Sequence, residues 1–156
     1  KNAVVLAADT VITIDNIILG KPATNVEALG MLTRLRGRRH KVTTGFTVTE
    51  SGTERSVSTA KHTDVLMRNY SDQEMLKYVK SGESYDKAGS YAIQDTTFRP
   101  AKVLKGCYLN VIGLPLCEVV SALEQFKVDP QLKDEWYPPL ECRFCPLRKS
   151  TKRQTT

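Results

Sequence analysis

An α/β fold, with a mixed twisted sheet flanked by helices, is what this sequence predicts, and three observations predict it. Residues 3–8, Ala-Val-Val-Leu-Ala-Ala, are an unbroken apolar run, the pattern of a strand buried on both faces of a sheet. Two capping boxes, Thr24-Asn25-Val26-Glu27 and Ser71-Asp72-Gln73-Glu74, each open a stretch of helical periodicity. Between them, residues 40–49 are rich in Val, Thr and Phe, the composition of a strand.

The elements follow in order. The first apolar run ends at Asp9-Thr10. Residues 11–19 hold Asp15-Asn16 between two β-branched runs and read as a tight hairpin, because Asp and Asn tolerate the left-handed backbone of such turns. Gly20-Lys21-Pro22 breaks the strand. In the helix after Thr24, the apolar residues Ala28, Met31, Leu32 and Leu35 fall at i, i+3, i+4 and i+7, and Gly37 stands at the expected left-handed C-terminal cap. Arg34, Arg36, Arg38 and Arg39 lie at that helix end, where bases complement the dipole; a phosphate patch is the alternative reading. The strand at 40–49 turns at Glu50-Ser51-Gly52 into a second long strand toward Leu66, making a meander. The second helix carries Met75, Leu76 and Val79 and closes at Gly82. After a glycine-containing loop at 87–91, residues 99–109 supply another strand or hairpin. Pro115 starts a final helix with Leu116, Val119, Val120 and Leu123 on one face.

From Val128 onward Pro130, Pro138, Pro139 and Pro146 punctuate a segment with no sustained period. The expected organisation is a domain over residues 1–127 and, over 128–156, a proline-containing extension with a basic, disordered tail. A chain of 156 residues with 40% hydrophobic content suits one compact domain plus such a tail. No stretch approaches the roughly 20 apolar residues of a membrane span, and 3–8 is too short for a signal-peptide core. A soluble, cytoplasmic protein with no membrane partner is therefore expected. The net charge of +6 raises nucleic acid as a partner, but residues 146–156 hold four bases and no acid, and without them 19 bases face 17 acids. The basic signal belongs to the tail, and nucleic-acid binding is not the expected function. Of the four cysteines, Cys142 and Cys145 form a CxxC pair, while Cys107 and Cys117 sit in apolar segments. Ordinary reduced thiols are the expectation, with a zinc site or a redox pair as alternatives.

Candidate chemistry gathers in the loops. Asp9 stands where a buried strand is expected to end, which is where binding sites of α/β folds collect. Lys21 follows after a hairpin that brings it back toward Asp9, and Asp86-Lys87 repeats the pairing of acid and base in a glycine loop. Carboxylates bind magnesium or manganese and orient water, and lysines neutralise phosphate oxygens. Each residue taken singly is an ordinary turn charge.

The order of the motifs carries more. Ala8-Asp9-Thr10-Val11, Leu19-Gly20-Lys21-Pro22, Met31-Leu32 with Leu35-Arg36-Gly37 and His40, Thr44-Gly45, Ser81-Gly82-Glu83, Asp86-Lys87-Ala88-Gly89, Tyr91-Ala92-Ile93-Gln94, and Asn110-Val111-Ile112-Gly113-Leu114-Pro115-Leu116 stand in the order in which they occur in the Maf-like nucleoside triphosphate pyrophosphatases. The sequence closely resembles that family over residues 3 to 126, in its dTTP- and UTP-preferring branch.

The resemblance implies a fold like that of the inosine triphosphate pyrophosphatases, with the nucleotide in a cleft between two lobes. It implies that Asp9 is the proton acceptor and a ligand of a divalent metal cation, Mg2+ or Mn2+, and that Lys21 belongs to the phosphate site. Asp86 is a further implied metal ligand and Lys87 a further phosphate contact. Thr10 and Gln94 match positions associated with base choice, and an amide such as Gln94 offers a pyrimidine imide both a donor and an acceptor. The implied partner is a nucleoside triphosphate substrate, and relatives also form homodimers. Family members begin with a strand, a Ser-x-Ser-Pro-Arg-Arg loop and a helix, whereas this sequence opens at what would be the next strand, so an N-terminally incomplete domain is expected. Ala92 and Asp95 replace usual glycines, and Cys107 stands where an acid is common. The leading expectation is hydrolysis of dTTP, UTP or modified nucleotides to the monophosphate and pyrophosphate. The alternative is a truncated, catalytically impaired relative that binds nucleotide or acts as an interaction protein.

Overall fold

The computed structural model describes residues 3–130 and Cys142. Strand β1 (Val4–Ile14) turns tightly into β2 (Ile17–Leu19), and helix α1 (Asn25–Leu35) follows. Two long strands come next, β3 (Arg39–Glu50) and β4 (Ser56–Met67), then helix α2 (Asp72–Lys80). A 3-10 turn at Ala88–Ser90 leads to β5 (Ala101–Lys105), α3 (Tyr108–Ile112) and α4 (Leu116–Gln125). The strands form one sheet in the order β2-β1-β3-β4-β5, each neighbouring pair antiparallel. The architecture is the expected mixture of sheet and flanking helices.

Local chemistry explains most boundaries. Asp15 and Asn16 adopt φ of 53° and 59°, the left-handed pair that a two-residue hairpin turn requires. Thr24 accepts the Glu27 N–H at 3.2 Å, and Glu27 Oε2 accepts from the Ala23 N–H, one residue before the cap. Ala28, Leu32 and Leu35 are fully buried, and covering a leucine in this way stabilises by about 2 kcal/mol. Two of the arginines at the end of α1 are closely ion-paired, Arg36 with Asp72 and Arg38 with Asp15, each at 2.6 Å, and these fasten the helix end to its neighbours. The box at Ser71 is complete, and an Arg68 hydrogen bond at 2.7 Å to Glu74, followed by the bonds to Ser71, pushes the Glu74 carboxyl down to about 2.

Four expectations are corrected. The opening run is a strand but is not buried on both faces, since Val5 is 48% and Leu6 38% exposed. The cause is that β2 pairs with β1 only from Ile12 to Ile14, so among the described residues β3 is the one strand beside the first part of β1. That strand does not end at Asp9-Thr10 either; it runs on to Ile14, and Asp9 sits mid-strand opposite Gly45. On α2 the buried face holds Met75, Tyr78 and Val79, leaving Leu76 exposed, one step round the helix. Over 99–109, only Ala101–Lys105 is strand; the chain turns at Gly106, and Cys107 caps α3 by accepting the Asn110 N–H. The zinc and redox alternatives for Cys142 and Cys145 fall largely outside the described residues.

The inward face of the sheet carries two separate cores. One packs Ile12, Ile14, Val42, Val65 and Met67 against α1 and α2; the other packs Phe46 and Val48 against Val119, Ala122 and Phe126. Between them runs a polar band, with Thr10 paired to Thr44 and Thr44 to Lys61 across the strands. Asn110 of α3 sits on this band: its amide nitrogen donates to Val42 O at 3.2 Å and to Thr63 Oγ1 at 2.9 Å. Lys61 closes the row by bonding Glu118 on α4. Replacing Asn110 by Ala removes its bonds to Val42 O and Thr63 Oγ1, although Thr63 keeps its two bonds to the Cys107 backbone, and loosens α3, so the expected loss is about 1–3 kcal/mol in urea unfolding. A loss below about 0.5 kcal/mol would show that the band does not hold the lobes.

Candidate active site

Where β2 stops short, the free edge of β1 borders a cleft of about 340 Å3. Asp9 and Thr10 point to opposite faces of the sheet, as successive strand residues must, and both border the cleft because it wraps this unpaired edge. The other walls are Lys21 after β2, residues of the segment 86–94, Val42 of β3, and Val111, Ile112 and Gly113 at the end of α3. All six residues singled out in the sequence, Asp9, Thr10, Lys21, Asp86, Lys87 and Gln94, therefore lie on one cleft.

Two kinds of contact hold these walls in place. The Gly89 N–H donates to Gly20 O at 3.0 Å, which stitches the Asp86-Lys87 segment to the segment of Lys21. Only glycine suits that position, because φ is +69° and a Cβ would lie 2.9 Å from Ile12 Cδ1. On the far side, Tyr78 Oη accepts the Ala92 N–H at 3.0 Å, and Tyr91 Oη meets His40 Nε2 at 2.7 Å. Tyr78 is itself stacked on Phe98 at 4.3 Å, so the stretch leading to Gln94 rests on fixed aromatic rings. Gln94 is exposed at the cleft and at a second, more open hollow that shares Ile93 with it.

The cleft brings two lysines, Lys21 and Lys87, together with two carboxylates, Asp9 and Asp86. Lys87 Nζ lies 2.5 Å from Asp86 Oδ1, and that hydrogen bond, with a weaker pull from the charge of Lys21, lowers the Asp86 carboxyl below its usual range. Asp9 Oδ1 accepts the Thr10 N–H at 2.9 Å, which orients the carboxylate and leaves Oδ2 for a ligand. Asp9 and Asp86 are the carboxylates that line the cleft, and a magnesium-like cation needs only one or two protein oxygens when substrate phosphates and waters supply the rest. Among the described residues, no group of three or more His, Cys, Asp or Glu stands ready as a complete cage.

Sequence reasoning assigned no role to His40, Thr44, Tyr78 or Asn110, although all but Tyr78 stand within the quoted motifs. One signal was available. Thr44 falls in phase with His40, Val42, Phe46 and Val48 on the inward face of β3, and an in-phase polar residue in a buried row marks a group with a designated partner.

The chain matches the family model for Maf-like protein over residues 1–126. It is 40% identical to a dTTP/UTP pyrophosphatase of Dehalococcoides mccartyi over 157 aligned positions, covering 99% of this chain and 69% of that one. It is 43% identical to a dTTP/UTP pyrophosphatase of Thermomicrobium roseum over 145 positions, 92% of this chain and 65% of that one. With a dTTP/UTP pyrophosphatase of Clostridium beijerinckii it shares 39% identity over 127 positions, 81% of this chain and 68% of that one. The chain thus spans about two thirds of the length of these curated relatives.

Two outcomes check the architecture of the cleft. Gly89→Ala is expected to destabilise by about 1–3 kcal/mol in urea, through left-handed strain and the clash with Ile12. Burial pushes His40 down to about 4, against a small opposing pull from Asp64. The native state therefore holds His40 neutral while the unfolded chain binds a proton below about pH 6.5, so this residue's contribution is intact above that pH and is lost as pH falls toward 4. Wild type is expected to lose roughly 2 kcal/mol more than His40→Gln between pH 7.5 and 4.5. Equal losses in the two proteins would show that His40 titrates as an exposed imidazole.

Proposed function

This chain belongs to the Maf-like protein family, and from that premise we propose that it is a nucleoside triphosphate pyrophosphatase acting on dTTP or UTP. The observation that carries this reading is the convergence of Asp9, Thr10, Lys21, Asp86, Lys87 and Gln94, drawn from three separate segments, on one cleft. Its volume of about 340 Å3 falls in the range of small-molecule sites. The names of the relatives support the same substrate class.

In this reading a water oxygen attacks the α-phosphorus. Asp9 accepts the proton of that water, with its carboxylate oriented by the Thr10 N–H. The bond between the α-phosphorus and the bridging oxygen to the β-phosphate breaks, and pyrophosphate leaves with the bonding electrons. Lys21 and Lys87 stabilise the charge that develops on it, and interactions that strengthen as charge develops are those that accelerate the step. A divalent cation, Mg2+ or Mn2+, would be held by Asp9 and Asp86 and would supply Lewis-acid polarisation of the phosphate oxygens. Gln94 and Thr10 would read the base. A free thiol at Cys107 goes with a reducing compartment such as the cytoplasm, and among the described residues no helix is long and apolar enough to cross a membrane.

The test is pyrophosphate release from a panel of nucleoside triphosphates with Mg2+ or Mn2+. Asp9→Asn keeps the shape and removes the base, and a fall in kcat of about 100-fold or more is expected with dTTP and UTP. Turnover in wild type that survives in Asp9→Asn would remove Asp9 as the proton acceptor. Binding without turnover in wild type would instead favour a non-catalytic nucleotide-binding role.

A further inference from the structure

A threonine hydroxyl ordinarily both donates and accepts, so Thr10 by itself would discriminate poorly between bases that differ only in where a proton sits. Its surroundings remove that freedom. Thr44 Oγ1, on a fully buried side chain that does not line the cleft, lies 2.8 Å from Thr10 Oγ1 and 3.0 Å from Asn110 O. Thr10 Oγ1 also lies 3.4 Å from Gly113 O. Two hydroxyl protons thus serve three contacts.

When Thr44 donates to Asn110 O, Thr10 supplies the proton for the 2.8 Å contact, because two oxygens at that distance with no hydrogen between them repel. When Thr44 donates to Thr10, the Thr10 proton goes to Gly113 O. In every arrangement that keeps two protein hydrogen bonds, the Thr10 proton points into the protein and only lone pairs face the cleft. Donation from Thr10 to a ligand breaks one of those part-buried bonds, at a cost equivalent to about tenfold in affinity. Asn110 cannot drift to relieve this, since its amide is committed to Val42 O and Thr63 Oγ1.

We propose that Thr44 is a specificity-determining positioning residue: it holds the Thr10 proton inside the protein and makes Thr10 an acceptor-only group toward the base. Such a group takes the ring N–H of a thymine or uracil imide and rejects cytosine, whose corresponding nitrogen carries a lone pair and no proton. The inference rests on the nucleotide reading above but not on turnover.

The test is calorimetric titration with the non-hydrolysable α,β-methylene analogues of dTTP and dCTP, and with the N3-methylated thymidine analogue, each protein being checked for folding by urea unfolding. Thr44→Val keeps the branching and volume and removes the hydroxyl, whereas Thr44→Ser keeps the hydroxyl. Wild type is expected to prefer the thymidine analogue by about tenfold or more over both others. In Thr44→Val the Thr10 proton keeps only the long 3.4 Å contact to Gly113 O, which it gives up more readily to the cytosine nitrogen, so the thymidine-to-cytidine ratio is expected to shrink by about tenfold, while Thr44→Ser restores it. An unchanged ratio in folded Thr44→Val, or equal weakening of both analogues, overturns the proposal. Where Thr44→Val does not fold, full affinity of wild type for the N3-methylated analogue overturns it by itself. Wild type that binds with this preference but releases no pyrophosphate leaves the relay standing and removes the hydrolysis reading; wild type that binds no analogue removes both.

Discussion

The contact between Asn110 and the centre of the sheet is the constraint on which the rest depends. An inward sheet face that were apolar along its whole length would attract one continuous helical layer and close over. Here the face is interrupted by Thr10, Thr44, Lys61 and Thr63, and polar groups removed from water must find partners. Asn110 meets much of that demand, bonding Thr63 and Val42 while its own carbonyl accepts from Thr44. A short helix therefore sits where a longer apolar one would otherwise pack. The helices α1 and α2 gather on one side of the band and α4 on the other. The two lobes are a consequence of where the polar residues fall in the strands.

The cleft has a second cause, the shortness of β2. A longer β2 would pair with the β1 edge at Asp9 and fill the space with backbone. Because pairing stops at Ile12, the edge stays open, and side chains from both faces of β1 reach one cavity. The remaining walls are irregular backbone fixed by a few strong contacts: Gly89 to Gly20, Ala92 to Tyr78 Oη, and Tyr91 to His40. A site made of loops held on a rigid sheet keeps its charges oriented before a ligand arrives, which limits the reorganisation needed on binding. The pairing of Lys87 with Asp86 adds to this, since each is held by the other.

Much of this was legible in the sequence. The capping boxes located α1 and α2, the Asp15-Asn16 turn located the hairpin, and the order of the motifs identified the six residues now found on one cleft. Two of the misreadings share a cause, which is that apolar character was taken for burial. Val5, Leu6 and Leu76 are apolar and exposed, because exposure depends on what packs alongside and not on the residue itself. Asp9 likewise looked like the end of a strand, since a charge within an apolar pattern usually marks a boundary. Its outward-facing position opposite Gly45, on a partly unpaired strand, lets it stand mid-strand without burial.

The sequence by itself determined the local elements, because capping, turn chemistry and periodicity act between residues a few positions apart, where chain connectivity already sets the geometry. Only the tertiary structure decided which face of each strand met a helix, where the polar band would find its partners, and which way the protons along that band point. The last depends on oxygens from Thr10, Thr44, Asn110 and Gly113, which lie up to 103 residues apart in the chain and within hydrogen-bonding distance in space. Hydrogen-bond direction is a property of such a set taken together, and no single residue or spacing encodes it.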